Sequence, residues 1–276
     1  RWLEYEANGS YNIDTSFMEA RINQNMSQWT LEGLYRDGGY PYSPIAYDGF
    51  GRLNFQVLYL YGYTDTSFPG AADIEEYIRR GAWTSMMMQS PWGESPLGGR
   101  SAQHQWNETE MCFIYETWAA KAKADGDMVS ARAFKRAAHL SYSSLRRWIT
   151  PDGYVLIVKN HMDPAERFGY ESYSYLSQYN MWTAGFLSLA CMEADETITE
   201  GPAPADIGGF AFQVPDIHKG FANCGGLYLQ VDMDPEDDYD ITGLMRIQKA
   251  GVEPLIGPSA PTTNLGVLRG TPELGM

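Results

Sequence analysis

Between Gly98 and Glu110 the chain reads Gly-Gly-Arg-Ser-Ala-Gln-His-Gln-Trp-Asn-Glu-Thr-Glu. Two glycines and Arg100 lead into what reads as a helix start, with Ser101 as its N-cap. His104 and Glu108 stand four apart, so a helix begun there puts both on one face. Gln105, Asn107 and Glu110 lie beside them. A helix N-terminus offers free N–H groups and a positive dipole end, which suit a carboxylate or sulfate. Arg100 can grip a carboxylate through two parallel hydrogen bonds. His104 can exchange a proton near neutral pH. Glu108 or Glu110 can serve as general acid at a glycosidic oxygen, and Asn107 can polarise a substrate carboxyl group. The segment fits a site for a polar, anionic substrate.

A second concentration runs from Arg167 to Tyr179. Tyr170, Tyr173, Tyr175 and Tyr179 crowd together there with Glu171 and Gln178, and the run leads into a helix. Tyrosine faces stack on sugar rings and their hydroxyls can donate protons. A third, Tyr40–Arg52, holds Asp48 and Arg52 four apart, a spacing at which they can pair with each other or with substrate. His161 follows a short strand, while His218 and Lys219 sit where a later loop could reach back to the cleft. His139 falls within an apolar helical stripe and reads as structural. We expect Arg100, His104, Asn107, Glu108, Tyr173 and Tyr179 to line one cleft. We expect Glu108 to rest protonated, its pKa raised by a neighbouring carboxylate.

The elements that position these residues follow from apolar spacing. Helices are expected at about Thr15–Tyr35, Tyr47–Tyr61, Ala71–Gln89, Ser101–Ala124, Asp127–Trp148 and Tyr173–Ala194, with a short strand at Tyr154–Val158. Residues 1–196 therefore read as a helical catalytic domain, incomplete at its N-terminus. Prolines and small residues mark 197–207 as a linker. Residues 208–276 read as the start of an antiparallel β-domain, with strands at Gly209–Val214, Gly226–Asp232, Ile241–Gln248 and Pro254–Ile256. The chain reads as an internal piece of a longer protein.

Among 276 residues, 44% are hydrophobic, enough for a large core. The net charge of −15 lacks the basic footprint that nucleic-acid binding needs. No apolar run is long enough to insert into a membrane. Cys112, Cys191 and Cys224 are widely spaced in apolar surroundings and read as buried free thiols. No phosphate loop, zinc spacing or nucleophile elbow occurs, and nothing calls for a metal or cofactor. Oligomeric state is open, as is an extracellular, periplasmic or cytoplasmic location.

The helical hairpins, the Gly-Gly-Arg-Ser helix start, the Glu171–Tyr179 tyrosine run and the late β-domain together resemble carbohydrate-active enzymes built as an (α/α)6 toroid followed by an antiparallel β-domain. The likeness is closest to uronide-cleaving families: glycoside hydrolases of exo-β-glucuronidase type, and heparinase-like or alginate-lyase-like polysaccharide lyases. It implies a glycan substrate bearing a uronic acid, bound where the inner helices open. A hydrolase draws on two carboxyl groups, for which Glu108, Glu110, Glu171 and Asp48 are candidates. A lyase neutralises the uronate and removes its C5 proton, roles that Asn107, His104 and one of Tyr173, Tyr175 or Tyr179 could fill. Such lyases often carry adjacent Asn and His. Here His104 and Asn107 are three apart and Asn160-His161 is the adjacent pair, so the hydrolase reading leads. A glycan-binding protein without catalysis is the remaining alternative.

Overall fold

The computed structural model describes residues 15–36, 45–62, 71–99, 101–160, 163, 165, 174, 176–234, 243–253 and 273–275. Among them are seven helices: α1 Thr15–Met26, α2 Ile45–Leu60, α3 Ala71–Met88, α4 Trp106–Ala124, α5 Met128–Arg146, α6 Leu176–Glu193 and the short α7 Pro204–Ile207. Five strands follow: β1 Phe210–Val214, β2 Lys219–Cys224, β3 Leu227–Asp232, β4 Gly243–Lys249 and β5 Glu273–Gly275. The chain is thus mainly α with a sheet.

The main core is helical. Ile78 and Met86 of α3, Ile114 and Trp118 of α4, and Phe134 and Ala138 of α5 are buried together. The apolar stripe of α5 is what turns that helix inward. Its first turn is closed by Asp127, whose side chain accepts the Ser130 N–H at 3.1 Å.

Two helix starts and stops differ from the sequence expectation. α1 ends at Met26, not Tyr35. Asn25 and Ser27 donate back to the carbonyls of Arg21 and Gln24, and Thr30 Oγ1 then takes two backbone N–H groups of a tight turn. Gly33 in that turn has φ +78° and lies so close to α3 that a Cβ would come 2.4 Å from the Gly81 nitrogen. Secondly, Ser101 is no N-cap. Its φ is +68°, and α4 begins at Trp106. The residues between spend their backbone bonds on the segment 154–159, where the expected short strand is reduced to isolated bridges of Val155 and Val158. Gln105 N donates to Ile157 O, and Lys159 N to Gln103 O, at 3.0 and 3.1 Å. His104 therefore pairs with Val158 as an isolated bridge, outside the helix, and shares no helix face with Glu108.

The sheet order is β1-β2-β3-β4-β5. Successive pairs among β1 to β4 are antiparallel, and β5 pairs parallel with β4. Strand β2 was not expected, because Lys219 and Asn223 break its apolar pattern. Both are buried: Lys219 is paired with Asp232 directly opposite, and Asn223 donates to Ala205 O. Expected strand Pro254–Ile256 lies outside the described residues. The sheet is seated on the helices through Leu34, Met88, Val214, Phe221 and Tyr228, whose hydroxyl donates to Met88 O at 2.7 Å.

Residues 197–207, a linker by composition, and the turn at Asp195 before them lie against α4 and α5. Ile198, Ala203 and Ala205 join the main core, Lys123 pairs with Asp195, and Arg136 pairs with Glu200 and Asp206. His139 is not in the core: its side chain is 39% exposed and bonds Glu200 at 2.5 Å. Of the three thiols only Cys112 is buried, whereas Cys191 and Cys224 are exposed.

Candidate functional site

Every residue from Ser101 to Glu110 is buried. His104 is held on both ring nitrogens. Trp106 Nε1–H donates to Nδ1 at 3.1 Å, and Nε2 meets Ser174 Oγ at 3.0 Å. An indole can only donate, so Nδ1 is an acceptor and the ring is the Nε2–H tautomer. Tyr179 lies against the imidazole at 4.6 Å between centroids. The structure brings these two predicted residues together, but the Nδ1 lone pair is already engaged.

Glu108 faces Lys159 at 2.5 Å, both side chains fully buried, and accepts the Ser95 N–H at 2.9 Å. Burial pushes its carboxyl up, while Lys159 and the Ser95 amide pull it down and nearby Glu94 adds a smaller upward push. The neighbouring carboxylate is a minor cause, not the leading one expected from sequence.

Glu110 stands differently. It is fully buried, and neither carboxyl oxygen has a hydrogen-bond partner among the described residues. Burial drives its carboxyl well above the usual range; Arg52 opposes this, and Asp48 and Glu108 reinforce it. α2 can approach so closely because position 49 is glycine: a Cβ there would lie 2.0 Å from Glu110 Oε1. Glu110, Asp48, Gln89, Ser95 and Asn107 line a cavity of about 10 Å³, the room of one water.

Asp48 and Arg52 pair with each other, with Nε–Oδ1 at 2.9 Å and the second nitrogen to Oδ2 at 2.8 Å. Asp48 also accepts the Tyr35 N–H at 2.6 Å, and Arg52 donates to Ser85 Oγ at 2.6 Å. Asn107 donates from Nδ2 to Ser101 O at 2.8 Å, which leaves Oδ1 buried without a partner among the described residues. Gln105 is buried with neither amide atom bonded among them. Gln178 is exposed on α6, apart from this cluster. Arg100, His161, Arg167, Tyr170, Glu171, Tyr173 and Tyr175 lie outside the described residues.

Sequence reasoning missed three participants. Lys159 stood beside the chosen His161, where only its place at a strand exit marked it. Glu94 lies in the loop 90–99, whose prolines and glycines mark it as irregular and give no sign of a buried carboxylate. It accepts from Arg147 at 2.8 Å and Gln248 at 2.7 Å, and Arg246 approaches it at 3.3 Å. Gln89 bonds Ala137 O and Ser141 Oγ through Nε2, which leaves its carbonyl oxygen at the cavity. Lys219 of the sheet does reach the loop before the motif, packing against Gly98. Among the described residues no three His, Cys, Asp or Glu side chains converge to hold a metal ion.

Comparison with protein-family models, curated proteins and solved structures finds no match for this chain.

Proposed function

We propose that the chain is the core of a carbohydrate-active enzyme that hydrolyses a glycosidic bond in a uronic-acid-containing glycan, with Glu110 as general acid. The observation that carries this reading is the buried Glu110 carboxyl, raised well above the usual range and without a hydrogen-bond partner among the described residues, beside two other carboxyl groups. A glycosidic acid must hold its proton at working pH and release it to the departing oxygen. The second carboxyl group differs in kind: Glu108 contacts an ammonium and an amide N–H. Burial raises both carboxyls, but Glu108 has a cation and an N–H partner and Glu110 has neither among the described residues, a difference in surroundings that suits separate acid and base roles. On this reading Arg100 grips the uronate, and the helical pairs α4–α5 and their neighbours belong to an (α/α)6 toroid. The engagement of His104 Nδ1 by Trp106 weighs against a lyase base at that ring.

The test is incubation with glucuronate-containing oligosaccharides, with product masses read beside ultraviolet absorbance. Products that gain water with flat absorbance, lost in Glu110→Gln, support the reading. Products lacking water with rising absorbance overturn it in favour of elimination.

One observation favours a second reading, a glycan-binding protein without catalysis. The carboxyl cluster encloses room for one water, whereas an open aromatic groove of about 570 Å³ lies on the outer side of α2. Saturable oligosaccharide binding with no product under any condition would select it.

A further inference from the structure

That groove is built from α1, α2 and the turn between them, and its walls are Tyr35, Tyr47, Phe50 and Phe55 with Asn25 and Asn54 at the rim. All four rings are half-buried, so each keeps surface open. The walls are held from behind. Trp29 packs against Tyr35 at 6.2 Å and Phe55 at 5.5 Å, and Trp182 stacks on Phe50 at 5.5 Å. Asn25 accepts from the Tyr35 hydroxyl at 3.0 Å while donating to Arg21 O at 2.7 Å. Gly51 lets the helix backbone meet the Tyr35 ring, where a Cβ would stand 2.6 Å from it. The rings are therefore fixed before any ligand arrives, which lowers the entropy lost on binding.

Among the described residues none of the lining side chains is charged, on a chain whose net charge is −15. The groove offers no cation to a carboxylate, phosphate or sulfate, and no anion to an amine. What it offers is aromatic faces with amide and hydroxyl groups at their edges. Asn54 donates from Nδ2 to Phe50 O at 2.7 Å, so its Oδ1 is left to accept from a ligand hydroxyl. A pyranose ring presents the complement: an apolar C–H face ringed by hydroxyls.

We infer that the groove is a binding site for neutral pyranose units of a glycan chain, separate from the Glu110 cluster. α2 separates the two places. Gly49 faces Glu110 and Gly51 faces Tyr35, and two residues on a helix are turned about 200° from each other. The site shares only its ligand class with the proposed reaction and does not depend on Glu110.

Trp29, beneath two of the walls, supplies the readout. The full chain is titrated with cellohexaose, xylohexaose and maltohexaose, and with a glucuronate oligosaccharide for comparison, while tryptophan fluorescence is followed. At least one neutral hexasaccharide should give a saturable change. Its affinity should fall about tenfold or more in Tyr47→Ala and measurably in the solvent-facing Asn54→Ala, and should be unaltered in Glu110→Gln. No saturable change with any neutral sugar, while circular dichroism shows a folded protein, overturns the inference. So does equal affinity in Asn54→Ala and Tyr47→Ala, or titration by the charged sugar alone. Saturable neutral-sugar binding that is kept in Glu110→Gln, by a chain whose unmutated form makes no product from the glucuronate oligosaccharides, would leave this site standing and the proposed hydrolysis fallen.

Discussion

Gly49 and Glu110 meet across the α2–α4 contact with no room for a side chain at position 49, where a Cβ would fall 2.0 Å from the carboxyl oxygen. The close approach keeps Glu110 out of water. Gly49→Ala must push the helices apart or turn the carboxyl out of its seat. It should destabilise the protein by about 1–3 kcal/mol, as overpacking does. Urea denaturation measures this. A neutral effect would mean that the Glu110 and Met111 side chains give way at little cost and that position 49 does not hold the carboxyl in its seat.

Glu110 also sets a pH dependence. Its folded carboxyl titrates well above its unfolded value, so the folded state binds the extra proton. By linkage, stability from this group is present at low pH and is lost as pH rises from the ordinary carboxylate range towards the raised folded value. Glu110→Gln should flatten that decline and be relatively more stable than wild type at the alkaline end. Melting temperature followed across pH, in both proteins, checks the sign. A wild type that gains stability over the same window relative to the variant would contradict it.

The Glu108–Lys159 pair makes a different demand. Both side chains are fully buried, so removing one leaves the other without its ion partner. Lys159→Met should cost about 3–5 kcal/mol, and adding Glu108→Gln should recover a large part of it. A double-mutant cycle by chemical denaturation gives the coupling directly. Additive losses would show that the pair does not act as a unit.

These relationships were unequally visible in the sequence. Asp48 and Arg52 could be paired from their spacing alone, because helix geometry makes i and i+4 neighbours. The extents of α3 and α5 followed from apolar periodicity. Ser101 misled, because its helix start is displaced by backbone bonds to Ile157 and Lys159, some fifty residues away. Strand β2 was hidden for a like reason: buried Lys219 is satisfied only by Asp232 on the next strand. Local pattern reports what a segment can bury by itself. It does not report which distant group will neutralise a charge.

Glu94 carries the last prediction. Its carboxylate is wholly buried between the two layers, held by Arg147 at the end of α5 and by Arg246 and Gln248 of β4. Arg246 also donates to Ser95 O at 2.8 Å. Sheet and helices are therefore joined through charge as well as through the apolar seat around Tyr228. Arg246→Met strips Glu94 of one cation and Ser95 of its donor at once. The loss should be about 3–5 kcal/mol, and it should fall on the coupling between layers. Calorimetry should then resolve a sheet transition below the helical one, where the wild type should melt in one. Restoring a single transition with Arg246→Lys would assign the joint to charge, because an ammonium keeps the attraction to Glu94 while losing the planar fork. A single unaltered transition in Arg246→Met would place the joint in the apolar contacts alone.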